Sequence, residues 1–275
     1  DNGGQLTVTH STFSNNSASG SGGTGYGGGI DNGGQLTVTQ SSFSGNKAIG
    51  SSNYGLGGGI YNSSPGTLMV TTSIFSNNSA TSYGGGIDND GKLTVISSTF
   101  SINSAGYGGG ILSFGQGSSA IIRFCTIYGN TSNVGGGIWV DPKGNSHITI
   151  SSSIIAANSA PSGPDISGAL ISDGYNLIES VAGVTGLNAS TDKQVALADL
   201  NLDPMLVNNG GPTQTLKVLQ GSKAIDVVSL QACSITLTDI SGKNVPFNTD
   251  QRGQPRPDGP ENACDIGAYE SSYQD

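Results

Sequence analysis

The string Gly-Gly-Gly-Ile occurs five times, ending at Ile30, Ile60, Ile87, Ile111 and Ile138. One short string returning every 24 to 30 residues means one supersecondary unit used over and over. Such a unit cannot bury its apolar face alone and must stack on its neighbours. A short alternating strand accompanies each copy: Leu6-Thr7-Val8, Leu36-Thr37-Val38, Leu68-Met69-Val70, Leu93-Thr94-Val95, Ala120-Ile121-Ile122 and Ile148-Thr149-Ile150. A second strand carries a large apolar residue, in turn Phe13, Phe43, Phe75, Phe100, Ile127 and Ile155. Three residues after each comes an asparagine: Asn16, Asn46, Asn78, Asn103, Asn130 and Asn158.

Period-two alternation places Leu and Val on one face and Thr on the other. The glycine runs and β-branched content exclude helix. Hairpins do not explain why equivalent residues return once per unit, whereas coils stacked about 4.8 Å apart do. The predicted fold is all-β: a right-handed parallel β-helix with an irregular C-terminal capping region. Tandem coils fill 1–160, and further coils with the cap fill 161–275, as one continuous solenoid. The Phe/Ile positions then form one interior column, and the glycines serve tight bends and close backbone approach.

The asparagine column is read as structural. A stacked amide at a bend can bond its own turn and the next asparagine; the alternative is a sugar-binding ladder. A second column, Asn2, Asn32, Asn62 and Asn89, lapses at Ser113 and Val140. Cys125 aligns with Ser11, Ser41, Ser73, Ser98 and Ser153, two residues before the Phe column. It is expected to be a small buried filler, not a nucleophile.

Gly supplies 45 of 275 residues and only 34% of the chain is hydrophobic, so a thick core is excluded. A net charge of −9 with ten Lys and Arg leaves no basic stripe for phosphates, and nucleic acid is not an expected partner. No apolar run has the length of a membrane helix, and no signal peptide is visible. The first residues read as the middle of a repeat. The expectation is therefore an upstream continuation, or pairing of an open N-terminal coil with other copies of the protein. Cys233 and Cys264 lie in loop-like sequence and are the disulfide candidate, fitting an oxidising compartment; free thiols are the alternative.

Beyond Asn158 the repeat fades. Strands are expected at 174–178, 203–206 and 215–219, and a short helix around Asp192–Leu200. The motifs here are Gly163-Pro164-Asp165, Gly174-Tyr175-Asn176-Leu177-Ile178, Asn209-Gly210-Gly211-Pro212-Thr213-Gln214-Thr215, Asp250-Gln251-Arg252-Gly253 and Asp265-Ile266-Gly267-Ala268-Tyr269-Glu270. With the Gly-Gly-Gly-Ile … Phe-Ser-x-Asn repeats, they resemble bacterial surface proteins carrying polymorphic-outer-membrane-protein-like repeats and a choice-of-anchor Q domain. The resemblance implies a pectate-lyase-like β-helix that is secreted or held at the cell surface. It implies no established activity.

A calcium-assisted lyase needs clustered carboxylates and a base, and the repeats hold only sparse acids: Asp1, Asp31, Asp88, Asp90 and Asp141. A glycoside hydrolase needs two carboxylates about 5–10 Å apart, which acids on neighbouring coils could supply. Near the C-terminus stand Asp226, Asp239, Asp250, Asp258, Asp265 and Glu270 with Arg252 and Arg256. Asp250, Arg252, Arg256, Asp265 and Glu270 are read as ion pairs holding a loop-rich cap. His10 and His147 lack partners at zinc spacing. No cofactor is expected, calcium being the one cation such acids would take. Outward Thr7/Thr9 and Thr37/Thr39 suggest an ice- or sugar-binding array, which breaks at Met69, Ile96, Ile121 and Arg123. Trp139 can stack on a sugar or cover its coil. The expectation is a non-catalytic extracellular or cell-surface solenoid, adhesive, glycan-binding or filament-forming, with polysaccharide or its own copies as partners. A polysaccharide lyase or glycoside hydrolase is the alternative, and an ice-binding protein a further one.

Overall fold

The computed structural model describes residues 1–20, 23–51, 54–187, 189–238, 243–260 and 262–273. They form a parallel β-solenoid of about six turns with irregular sheets at the C-terminal end. The sequence shows two strands per coil, and the coils build three long sheets. The Leu–Val sheet has seven strands, from Gln5–Thr9 to Ile171–Ser172. The Phe sheet has eight, from Thr12–Ser14 to Lys193–Gln194. The third sheet is built from Ile30–Asn32, Ile60–Asn62, Ile87–Asn89 and their successors. The isoleucine that ends each glycine triplet thus opens a strand. At three residues per strand, this Ile–Asn sheet is too short to show an alternating run.

Register follows the repeat without slippage. Leu6 pairs with Leu36, Leu36 with Leu68, and Leu68 with Leu93. A one-residue slip would turn each apolar set outward, so the buried face itself fixes the pairing. Phe13, Phe43, Phe75 and Phe100 pair in the same way and continue into Ile127, Ile155 and Ile178. The four rings stack with centroids 4.7, 4.7 and 4.8 Å apart and planes within 4°. That spacing is the strand spacing, so the ladder sets the ring geometry. Aromatic pairs left to themselves prefer offset or tilted arrangements.

Opposite the rings lies the glycine triplet. Gly84 has φ +59°, which costs a side chain roughly 1–2 kcal/mol. A Cβ on Gly85 would lie 2.3 Å from the Gly109 carbonyl oxygen, and one on Gly86 would lie 2.9 Å from Cδ1 of Phe100. The triplet is therefore the shape complement of the Phe column. The other two corners also hold a left-handed residue in each coil, yet accept side chains there. One series is His10, Gln40, Thr72, Ser97, Phe124 and Ser152, and the other includes Asn15, Asn77, Ile102 and Ala157.

The C-terminal region is irregular, but most of it covers a side of the solenoid, not its end. Thr213 Oγ1 donates to the Thr72 carbonyl, Ser97 Oγ to the Thr249 carbonyl, and Thr99 Oγ1 to Oε1 of Gln251. The Ala268 N–H donates to Thr126 Oγ1. A second apolar cluster joins Ile96, Phe124, Ile154 and Leu177 of the coils to Leu200, Val218, Ile225, Val228 and Ile266. The cause lies in the outward positions of the Phe sheet. These are exposed Thr12 and Ser14 in the first coil but Ile74, Ile154 and Leu177 further on, and those three are at most 1% exposed. What closes the interior column is a shorter piece, with Val184 and Leu187 packed against the main core.

Three expected elements change. Lys193–Gln194 is the last strand of the Phe sheet, so only Leu197–Leu200 makes a helical turn. Segments 203–206 and 215–219 are not strands; they meet through the bridges Leu202–Val218 and Val207–Thr215 and a hydrogen bond from the Asp203 N–H to the Lys217 carbonyl.

Candidate functional site

The asparagines of the ladder are used internally. The Asn78 backbone N–H and Nδ2 both donate to Asn103 Oδ1 at 3.0 Å, and Nδ2 also donates to the Phe43 carbonyl at 2.9 Å. Asn103 repeats this with Asn130 and Phe75, and Asn130 with Asn158 and Phe100. Asn46, Asn78, Asn103 and Asn130 are 0% exposed and Asn158 is 8% exposed, while Asn16 in the first coil is exposed. The expected bond to the same turn is replaced by one to the preceding coil, so each amide ties three coils together. The ladder ends on a carboxylate: Asn158 Nδ2 donates to Asp165 Oδ1 at 2.8 Å. Burial pushes that carboxyl up to about 6, against the pull of its donors.

The second column also stacks amide on amide, but it keeps the bond to its own turn, Asn32 Nδ2 donating to the Gly34 carbonyl and Asn89 Nδ2 to the Gly91 carbonyl at 3.2 Å. Asn2, Asn32 and Asn62 each donate through Nδ2 to the next Oδ1 at 2.7 Å. Asn89 reaches Ser113 Oγ at 3.4 Å. A third ladder runs along the serine column, whose register is plain in the sequence but whose hydrogen bonding is not. In the serine column, each Oγ donates to the carbonyl two residues earlier and accepts the N–H of the preceding coil, as Ser73 does with Thr71 and Ser41. The run of Ser at one repeat position was its signal. Cys125 stands in this column, 0% exposed, with Sγ 3.2 Å from the Arg123 carbonyl. Burial pushes its thiol up to about 12.

Cys233 and Cys264 are disulfide-bonded and Cys125 is free. In the flank, Arg252 pairs with Asp250 at 2.8 Å and Arg256 with Glu270 at 2.6 Å. Arg256 also donates to the Asp265 and Gly267 carbonyls and lies over the Phe124 ring, 4.6 Å from its centroid. The Asp265 side chain is not in an ion pair: it accepts the backbone N–H groups of Asp226 and Ser271. Asp239 lies outside the described residues. Among those described, no three or more His, Cys, Asp or Glu converge on a point that could hold a metal ion.

With the ladders buried, the outer faces are what a ligand can meet. On the Leu–Val sheet, one outward column reads Thr7, Thr37, Met69, Thr94, Ile121 and Thr149, too interrupted for a regular hydroxyl array. The outer face of the Ile–Asn sheet differs. Its central column is Asp31, Tyr61, Asp88, Leu112 and Trp139. On one side stand Leu56, Tyr83, Tyr107 and Val134, with Tyr26 in line before them. On the other, continuing the ladder by one residue, stand Ser63, Asp90, Phe114 and Asp141.

Rings gather across these three columns. Centroid distances are 5.3 Å for Tyr26–Tyr61, 5.5 Å for Tyr83–Tyr107, 5.8 Å for Tyr83–Phe114, 5.2 Å for Tyr107–Trp139 and 6.2 Å for Phe114–Trp139. Tyr26, Tyr107 and Phe114 are 45%, 38% and 40% exposed. The Tyr61 hydroxyl donates to Asp90 Oδ2 at 2.8 Å, and its pKa is driven up by burial and by that carboxylate. None of the three columns carries a Lys or Arg. The repeat strings did not reveal this surface, because its residues differ from coil to coil.

Fold and face together define a parallel β-solenoid with one aromatic, acidic side. Residues 72–90 match the family model of the Chlamydia polymorphic membrane protein (Chlamydia_PMP) repeat. This stretch is about three-quarters of one coil, from the corner at Thr72 through Phe75, Asn78 and the glycine triplet to Asp90, short of the Leu–Val strand Lys92–Ile96. No curated protein and no solved structure matches the chain.

Proposed function

We propose that this protein is a non-catalytic adhesive solenoid, displayed at a bacterial surface, that binds glycan chains along the outer face of the Ile–Asn sheet. The carrying observation is the ring cluster of Tyr26, Tyr61, Tyr83, Tyr107, Phe114 and Trp139, interleaved with carboxylates and free of basic residues. Rings supply apolar contact for sugar C–H faces, and tyrosyl hydroxyls and carboxylates supply hydrogen-bond partners. A rigid ladder beneath fixes their spacing, so little ordering entropy opposes binding. The matched repeat is named for polymorphic membrane proteins, which supports display at a membrane surface.

The enzymatic alternative would draw on Asp88 and Asp90. A glycan array probed with the native protein and with Trp139→Ala tests binding. A parallel assay for new reducing ends or unsaturated products tests cleavage. The expected result is binding without cleavage, weakened by the substitution. Product release would establish an enzyme, and failure to bind any glycan would overturn the reading.

A further inference from the structure

Asp88 is the middle residue of the strand Ile87–Asn89, between Tyr61 of the coil before and Leu112 of the coil after. Ile87 belongs to the core and Asn89 to the amide ladder, so alternation turns Asp88 to the outside. Yet it is 2% exposed, and its Oδ1 is buried without a hydrogen-bond partner. Asp90 accepts from Tyr61 through Oδ2, and its Oδ1 is likewise buried and unpartnered. Burial raises both carboxyls, and the charge of Asp90 raises Asp88 further. Buried polar groups are rarely left unpaired, and each such group asks what would satisfy it.

The covering is aromatic. Tyr83 and Phe114 flank the central column from opposite sides and stack with planes 10° apart. Leu112, also outward on that column, is 0% exposed. Two carboxyls short of donors, among rings and without a neighbouring base, are the complement of a cation that carries its own hydrogens.

We propose that Asp88, Asp90, Tyr61, Tyr83 and Phe114 form a subsite for a primary ammonium group, borne by an unacetylated amino sugar of the bound glycan. The proposal rests on the glycan-binding reading above and names its substrate class. An ammonium brings three donors, enough for both orphaned Oδ1 atoms and one further acceptor. Its charge relieves the repulsion between the two acids, and its flanks meet ring faces. Uronic acids would be repelled by the same carboxyls. Phe114 is the part that can give way: it is 40% exposed and stands at the head of a loop in which a Cβ at Gly115 or Gly117 would meet nothing within 4 Å.

Trp139 is the only tryptophan of the chain and stacks on Phe114, so its emission reports on this subsite. The native protein is titrated with a glucosamine hexasaccharide and with its fully N-acetylated counterpart, following fluorescence and heat. The free amine should bind about tenfold more tightly, as expected for hydrogen bonds to a charged group. Asp88→Asn with Asp90→Asn should remove that preference, the two oligomers then binding with equal affinity. Equal affinities, or a preference that survives both substitutions, would overturn the subsite and leave glycan binding standing. So would binding of other glycans but neither hexasaccharide. No binding of any glycan would overturn both readings. Should Asp88→Asn fail to fold, Asp90→Asn alone, at a half-buried position, decides: an undiminished preference refutes the assignment.

Discussion

A Cβ placed on Gly86 would lie 2.9 Å from the ring of Phe100 and 2.6 Å from the carbonyl oxygen of Gly110. The glycine triplet and the Phe column are thus two halves of one packing arrangement across the interior. Gly86→Ala is expected to destabilise the protein by about 1–3 kcal/mol through overpacking. Gly3→Ala, where a Cβ would meet nothing within 4 Å, should leave stability near that of the wild type. Urea unfolding of the two variants provides the comparison. Equal midpoints would show that the close approach is not energetically felt.

The amide ladder predicts a different kind of loss. Asn103→Leu removes the acceptor for the Asn78 N–H and Nδ2 and the donor to the Phe75 carbonyl. These groups lie where water does not reach, and each one left unsatisfied costs about 1–3 kcal/mol. The variant should unfold at markedly lower denaturant, with amide exchange accelerated at residues 78–80. Asn16→Leu, at the exposed end of the same ladder, should cost far less. A loss as large at Asn16 as at Asn103 would contradict the assigned cause.

Asp165 makes stability depend on pH. Its folded pKa stands at about 6, above the ordinary 3.8, because burial outweighs its hydrogen bonds. A raised carboxyl binds its proton more tightly in the folded state. Its contribution is therefore fully present below about pH 4 and is lost as pH rises through about 6. A shift of about 2 units amounts to about 3 kcal/mol. Asp165→Asn cannot titrate. The stability difference between wild type and variant should move in the variant's favour by about that amount from pH 4 to pH 7. A difference that does not change with pH would place the shift elsewhere.

Much of this architecture was legible because the repeat does the specifying. Residues that recur once per coil and never change role, such as Phe75 and Asn78, expose their function through their offsets. Three things were hidden. The Ile–Asn sheet has strands of three residues, in which only Ile87 and Asn89 of a strand like Ile87–Asn89 face inward, so no alternating run forms. The flanking position of the C-terminal region depended on outward residues such as Ile74 and Ile154, which read as ordinary strand residues until the side they face is known. The aromatic face is assembled from positions where Tyr61, Asp88, Leu112 and Trp139 succeed one another. A search for similarity between repeats discards such positions as noise, and ligand contacts are expected where identity is free to vary.

The disulfide supports the flank and not the coils. Cys233 and Cys264 enclose a loop with a sequence separation of 31. Closing a loop of that size is worth about 3–4 kcal/mol in chain entropy. Around it, Val228 pairs with Cys264, and Val228, Cys233 and Ile266 belong to the flank cluster. The ladders of Phe75, Phe100, Asn78 and Asn103 make no use of the bridge. Reduction should therefore loosen residues 226–233 and 263–270, with faster amide exchange at Ile266, while exchange at Phe75 and Phe100 stays slow. Ile74 and Ile154, at most 1% exposed in the intact protein, would lose part of their cover, so a hydrophobic dye should begin to bind. Simultaneous loss of protection in the coils would mean that the flank is integral to their stability, and that solenoid and flank fold as a single cooperative unit.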